Sequence, residues 1–290
     1  MLSSHGSAKA FLTGSNCLVV GGAQGIGWAI AVAMADHGAT VHVCDRSERS
    51  LARAAEEAAR LPWPERLVLA ECDATDRTAL ERWIVTAHEH AGRVDILVNN
   101  AAFVRWEPLE TMSVADAELT MATAYGATLY ATKAVLPLMR AAGRGHIVTM
   151  GSSVGRVYVK GPSAAYAASK AALEAFTSIL QIELRGSPLH ATLVRPGAVA
   201  GTGFFQHHVP HQRMPRLADF LPYSVPPDIA RGVLRALRNP RNTVDIPGFL
   251  PALYLLHDLF PTGLRRLMEL GGPGRRDYGN RSWHHHITGS

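Results

Sequence analysis

Six short apolar runs alternate along the chain with longer helical patterns, and no tight-turn signal joins any two of the runs directly. The runs are Cys17–Val20, Thr40–Cys44, Arg66–Ala70, Val94–Val98, Gly145–Met150 and Leu189–Val194. Strands that are never joined by a hairpin must be linked by crossovers, which makes them parallel and places helices on both faces of the sheet. The expected fold is therefore α/β, a doubly wound parallel sheet in a single domain, with Thr243–Ile246 as a candidate seventh strand. Residues 48–60, 75–91 and 112–141 read as helices, and a further helix runs to about Leu184. At 290 residues, 47% hydrophobic and 18% charged, the chain is long enough to bury a large core.

In such a sheet, ligands bind at the carboxyl ends of the strands. The first run passes into Gly21-Gly22-Ala23-Gln24-Gly25-Ile26-Gly27 and then into an Ala-rich helical pattern. Strand, glycine turn and helix form the setting of a dinucleotide loop: glycines let the backbone approach a pyrophosphate, and the helix N-terminus offers free N–H groups. Asp45 closes the second run, 18 residues after Gly27, near the roughly 20 expected of an acid that binds the adenosine ribose hydroxyls. Its charge would repel a 2′-phosphate and Gln24 places no base beside the loop. NAD is therefore expected rather than NADP, although Arg46 is available to a 2′-phosphate. Asp73, Asn100 and Ser153 also fall at predicted carboxyl ends.

Ser152-Ser153 is followed by Tyr166-Ala167-Ala168-Ser169-Lys170. Tyrosine and lysine four apart share one face of a helix. A lysine ammonium beside the phenol is expected to lower a pKa that is ordinarily about 10. With a serine hydroxyl nearby, these groups make a proton donor and acceptor for a carbonyl/alcohol pair.

In order and spacing these motifs resemble the short-chain dehydrogenase/reductase family, compact single-domain branch, over about residues 12–240. The resemblance implies a Rossmann-like fold and hydride exchange between a nicotinamide and a substrate carbonyl or alcohol carbon. Tyr166 would be the general acid/base, Lys170 would bind the nicotinamide ribose, and Ser153, thirteen before the tyrosine, would orient the substrate oxygen. It implies Gly21, Gly25 and Gly27 at the pyrophosphate, with Gln24 and Ile26 in the same loop. Asp73 and Ala74 would border the adenine, Asn100 and Ala101 the cofactor ribose region. Pro196, Gly197, Val199 and Thr202 follow the sixth strand at the nicotinamide. The chain departs from the family pattern where Val20 replaces a threonine and Ala102 a glycine. Thr123 stands where an asparagine holds a relay water. Thr202 comes one residue late, and Gly155 one residue early when counted from Ser153.

The domain is expected to span 12–247, with a substrate lid at about 200–225 and a helical extension and tail over 248–290. Phe103, Trp106, Tyr158, Phe204, Phe205, Phe220, Leu221 and Tyr223 are candidates to line a pocket for a sizeable apolar alcohol or ketone. The net charge of +5 comes from residues 201–290, which carry 11 Arg against 6 acids; they are spread out and match no nucleic-acid motif. The apolar-basic extension is too short to span a membrane. It would pack on the core, cover the pocket, join a second subunit of a homo-oligomer (dimer or tetramer), or rest on a membrane surface.

The start of the chain shows no secretory pattern and the three cysteines suggest no disulfide framework, so a reducing cytoplasm is expected. His207, His208 and His211 have ligand-like spacing without an acid or cysteine beside them, so no metal is expected. No Gly-x-Ser-x-Gly elbow supports a hydrolase. The alternative to an enzyme is a dinucleotide-binding regulator or scaffold with little turnover, suggested by Val20 and Thr123.

Overall fold

The computed structural model describes residues 10–159, 161–203, 216–270 and 274. Seven parallel strands stand in the order β3-β2-β1-β4-β5-β6-β7. They are β1 (Asn16–Val20), β2 (Thr40–Asp45), β3 (Leu67–Glu71), β4 (Ile96–Asn99), β5 (Gly145–Met150), β6 (Leu189–Pro196) and β7 (Thr243–Ile246). β1 is buried at every position, because helices cover both faces, and this is why its sequence is a continuous apolar run without alternation.

The helices are α1 (Gly25–Asp36), α2 (Glu48–Ala58), α3 (Arg77–Ala91), α4 (Val114–Met121), α5 (Ala127–Ala141), α6 (Ala164–Glu183) and α7 (Pro226–Arg238). Two more, α8 (Leu250–Leu259) and α9 (Pro261–Glu269), follow β7. On one face, α1 and α7 pack through Trp28, Ile30, Ile229 and Val233 onto Val19, Val41 and Val98. On the other, α3, α5 and α6 contribute Leu80, Ile84, Val135, Met139 and Leu180 against Leu18, Leu97 and Ile147.

The chain leaves β3 at one edge and returns as β4 on the far side of β1. Winding therefore reverses between β1 and β4, and a crevice opens where their carboxyl ends diverge. The helix expected over 112–141 is interrupted: a π-helical turn at Ala122–Gly126 separates α4 from α5. Such turns insert a residue and re-aim side chains, often at functional sites. In the 248–270 extension, Leu250, Tyr254, Leu264 and Met268 form a separate apolar cluster with Val157.

Candidate active site

The glycine turn is held by contacts that leave no room for a side chain. A Cβ on Gly21 would lie 2.6 Å from Ala101 Cα, and one on Gly27 would lie 2.4 Å from the Gly21 carbonyl oxygen. Asn100 Nδ2 donates to that carbonyl at 2.6 Å, and Asn100 N–H donates to Val20 O at 3.1 Å. These two bonds tie the end of β4 to the glycine turn. Gln24 occupies the N-cap of α1 without a side-chain cap, and the first turn holds no acidic residue, so its N–H groups and positive dipole end face the crevice unneutralised. Asp45 accepts from Ala23 N–H at 3.2 Å and from Ser47 N–H at 3.1 Å, which ties the end of β2 to the glycine turn. Asp73 closes a local turn by accepting from Thr75 N–H and Oγ1 at 2.9 and 2.8 Å, and sits at the mouth beside Cys72 and Ala74.

Across the crevice, Val199 is buried and bridges to Ser224, and Thr202 Oγ1 donates to Val199 O at 3.3 Å. The Thr202 methyl carbon lies 3.7 Å from where a Gly25 Cβ would be. The late threonine still reaches the glycine turn, because Gly201, at φ +75°, absorbs the extra residue in a left-handed conformation that glycine adopts at no cost.

These residues line one cavity of about 490 Å³ together with Gly21, Ile26, Arg46, Ala101, Thr123, Lys170, Pro196 and Gly197. Uncapped helix N–H groups facing the crevice, a strand-end carboxylate and glycines packed against backbone are the donor set of a dinucleotide, and they fit one.

Ser163 caps α6 by accepting from Tyr166 N–H at 3.3 Å, and this sets Tyr166 in the first turn, with Lys170 one turn on. Both are buried. Lys170 Nζ donates to Met150 O at 2.8 Å and lies 5.8 Å from the Tyr166 ring centre. Burial lowers Lys170 to about 8. The tyrosine departs from expectation: burial pushes its pKa up to about 12, and only a hydrogen bond from Ser152 opposes the rise. Desolvation of the phenolate outweighs any help from the lysine at this distance.

Ser152, fourteen residues before the tyrosine, stands close enough to the phenol to lower its pKa, and Ser153, at thirteen, lines the same cavity. Ser152 is extended and caps a 3-10 turn, Ser153–Gly155, by accepting from Val154 N–H at 3.3 Å, which leaves its own hydrogen free for the phenol oxygen. Ser153 is the first residue of that turn; it lines the cavity without an assigned contact to Tyr166. Gly155 carried the signal: counted from Ser152 its spacing is regular, and a Cβ there would lie 2.9 Å from the Lys170 backbone. Thr123, in the π-helical turn, points a buried Oγ1 that has no hydrogen-bond partner, and it lines the cavity.

A family model described as short chain dehydrogenase matches residues 15–213. The chain belongs to the short-chain dehydrogenase family. It is 32% identical over 240 residues to oxidoreductase UcpA of Salmonella typhimurium, covering 82% of this chain and 88% of that one. It is 32% identical over 188 residues to the NADP-dependent 3-hydroxy acid dehydrogenase YdfG of Salmonella typhi, 64% of this chain and 73% of that one. The closed form of a serine dehydrogenase complexed with NADP+ superposes with a TM-score of 0.69 at 27% identity, covering 79% of this chain and 93% of the other. This short-chain dehydrogenase is accordingly an oxidoreductase of a family that binds NAD(P).

The family match stops short of much of the apolar half of the cavity. Phe103, Trp106 and Leu221 line it, with Trp106 6.5 Å from the Tyr166 ring. Tyr158 and Phe220 do not: they are 45% and 72% exposed. Tyr223 packs behind Tyr166 rather than in the wall. Phe204, Phe205, His207, His208 and His211 lie outside the described residues, as do residues 204–215 of the expected lid. The rest of the described wall is Phe249, Leu250, Leu253, Leu264 and Met268 of the extension, for which covering the pocket is one of the four expected roles. No helix among the described residues is long and apolar enough to cross a membrane, and no group of potential metal ligands occurs among them.

Proposed function

We propose that this enzyme interconverts a secondary alcohol and a ketone on a sizeable apolar substrate, using NAD(H). The observation that carries the reading is the buried Tyr166 phenol, with Ser152, Ser153 and Lys170 lining the same cavity, between the nucleotide crevice and an apolar recess. A bound nicotinamide supplies or accepts the hydride. Tyr166 gives its proton to the carbonyl oxygen in reduction and recovers it in oxidation. With a pKa near 12 the phenol keeps its proton at neutral pH and so carries the one that reduction consumes; giving that proton up, like taking one in the oxidising direction, calls on the Lys170 ammonium to stabilise the phenolate. Ser152 holds the substrate oxygen against the phenol. Thr123, with its unpartnered hydroxyl, holds the water through which protons return toward Lys170.

The nucleotide end would be filled by the pyrophosphate at Gly21–Gly27, the adenine beside Asp73 and Ala74, and the adenosine ribose on Asp45. The NAD preference rests on Asp45, whose carboxylate is fixed by two backbone N–H groups where a 2′-phosphate would sit. Arg46, which follows it in the chain, lies 5.8 Å over the Phe103 ring. NADH consumption over a panel of apolar ketones tests the reading. Tyr166→Phe is expected to lower turnover about 10³-fold or more while leaving NADH affinity unchanged. Undiminished turnover in that variant overturns the mechanism; tight NADH binding with no turnover on any ketone supports a regulator instead.

A further inference from the structure

Beyond Tyr166 the cavity is closed by the chain's own C-terminal helix pair, which lies wholly outside the family match at residues 15–213. Leu250 and Leu253 of α8, and Leu264 and Met268 of α9, present the inner face. Among the described residues, the charged ones that line the cavity, Asp45, Arg46, Asp73 and Lys170, all belong to the nucleotide end or the tyrosine; the described wall residues carry none.

The pair is also gripped by the segment that follows Ser152. Tyr158 N–H donates to His257 Nε2 at 3.3 Å, Arg265 Nε donates to Tyr158 O at 3.1 Å, and Arg156 pairs with Asp258 at 3.2 Å. From beneath, Tyr254 Oη donates to Asp245 at 3.0 Å, and the Arg195 guanidinium, itself paired with Asp245, lies 4.8 Å over the Tyr254 ring. An apolar wall alone would slide; these bonds fix it relative to the serine.

We infer that α8 and α9 form the far wall of the substrate site. They select a ketone or alcohol with an extended, uncharged hydrocarbon body, whose far end packs on Leu253, Leu264 and Met268. The inference rests on the alcohol–ketone reading above. Each methylene buried against the wall favours binding, whereas an unpaired carboxylate there is desolvated without a partner.

The test uses the full chain with NADH and a series of 2-ketones from 2-butanone to 2-decanone, each ketone taking a hydride from NADH and a proton to give the alcohol and NAD+. In the parent enzyme kcat/KM is expected to rise about 2- to 4-fold per methylene, and a 2-ketone of the same length ending in a carboxylate to be at least ~10-fold poorer than 2-decanone. The double variant Leu264→Ala/Met268→Ala is expected to lose ~10-fold or more on 2-decanone and to stay within about 2-fold on 2-butanone. Leu253→Trp, which fills the recess instead of hollowing it, is expected to give the same split and guards against a loosened helix pair. Calorimetric binding of 2-decanol to the NAD-loaded protein is expected to weaken in step.

Turnover with no dependence on chain length overturns the wall. So does an equal loss on both ketones in both variants, or a carboxylated ketone used as well as 2-decanone. Absence of turnover on every ketone, with 2-decanol binding still weakened by the wall variants, overturns the alcohol–ketone reading and leaves the wall standing.

Discussion

At the nucleotide end of the crevice, the contacts come from main chain and from residues at the tips of adjacent strands, β1, β2, β3 and β4. At the apolar end they come from loops and helices scattered from Phe103 to Met268. The first end is rigid for a steric reason: glycines press on backbone that has nowhere to go, so an added methyl group must displace main chain. The second end is a surface of branched and thioether side chains that change shape by rotamer. One end should therefore fail abruptly when altered and the other by degrees, with the proton-transfer residues between them belonging to neither pattern.

The largest effect is expected at that junction. Ser152→Ala should lower kcat about 10²- to 10³-fold, about 3–4 kcal/mol of barrier, through loss of a hydroxyl positioned on the reacting oxygen. Ser153→Ala should change kcat by less than about 3-fold, since no contact to Tyr166 is assigned to it. Steady-state kinetics of the two variants decide the matter, and the reverse order would return the role to Ser153.

Next in size is a stability effect. Burial lowers Lys170 from 10.5 to about 8, so between these pH values the unfolded chain holds a proton that the folded chain has released. Stability contributed by this group accordingly rises with pH across that window. Below its lower edge the cost of the buried charge, about 3 kcal/mol, is present in full. Lys170→Met should abolish activity and yet stabilise the fold at neutral pH by up to that amount, the gain shrinking as pH climbs toward 10.5. Tyr166 acts in the opposite sense only above its ordinary value of 10.0, where the unfolded chain loses its proton first. Urea unfolding at neutral pH and near the upper edge checks the sign; a destabilised variant at neutral pH would show that the hydrogen bond to Met150 O outweighs the desolvation.

At the nucleotide end, Gly27→Ala should weaken NADH binding about 30-fold, ~2 kcal/mol, because its Cβ would lie 2.4 Å from a backbone oxygen and 2.6 Å from Asn100 Nδ2. Unchanged affinity by fluorescence titration would show that this end yields as readily as the apolar one. The smallest change is expected from Asp45→Asn, which keeps a hydrogen-bond acceptor near Ala23 and Ser47 but removes the charge. The ratio of NADP to NAD use should rise about 10-fold, ~1.4 kcal/mol; no rise would mean that the carboxylate does not select the cofactor.

Much of this was legible in the sequence. Continuous apolar runs without hairpin turns are compatible with little except a parallel sheet, and all seven expected strands are present in the structure. The glycine turn and Asp45 were legible because each sits at the end of its own strand, where chain position and spatial position coincide. Local spacing is least decisive where one residue of slack changes which side chain faces the site. Thirteen and fourteen residues before Tyr166 are both serines, and the 3-10 turn at Ser153–Gly155, with Gly155 packed on Lys170, carries both into the cavity. The pKa of Tyr166 was misjudged for a related reason: the spacing shows the lysine nearby, whereas burial, which dominates, is a property of the assembled core.

The sequence by itself determined the layered parallel fold and the glycine turn after the first strand, because these follow from periodicity and from glycine sterics acting over a few residues, whereas the strand order and the winding reversal between β1 and β4 come from the structure. The tertiary structure decided how the two serines stand in the cavity with the tyrosine, the orphaned hydroxyl of Thr123 in a π-helical turn, and the closing of the apolar recess by α8 and α9. Those outcomes depend on contacts between segments far apart in the chain, such as Val157 with Leu264 and Tyr254 with Asp245, and no local pattern encodes which surface an amphipathic helix will cover.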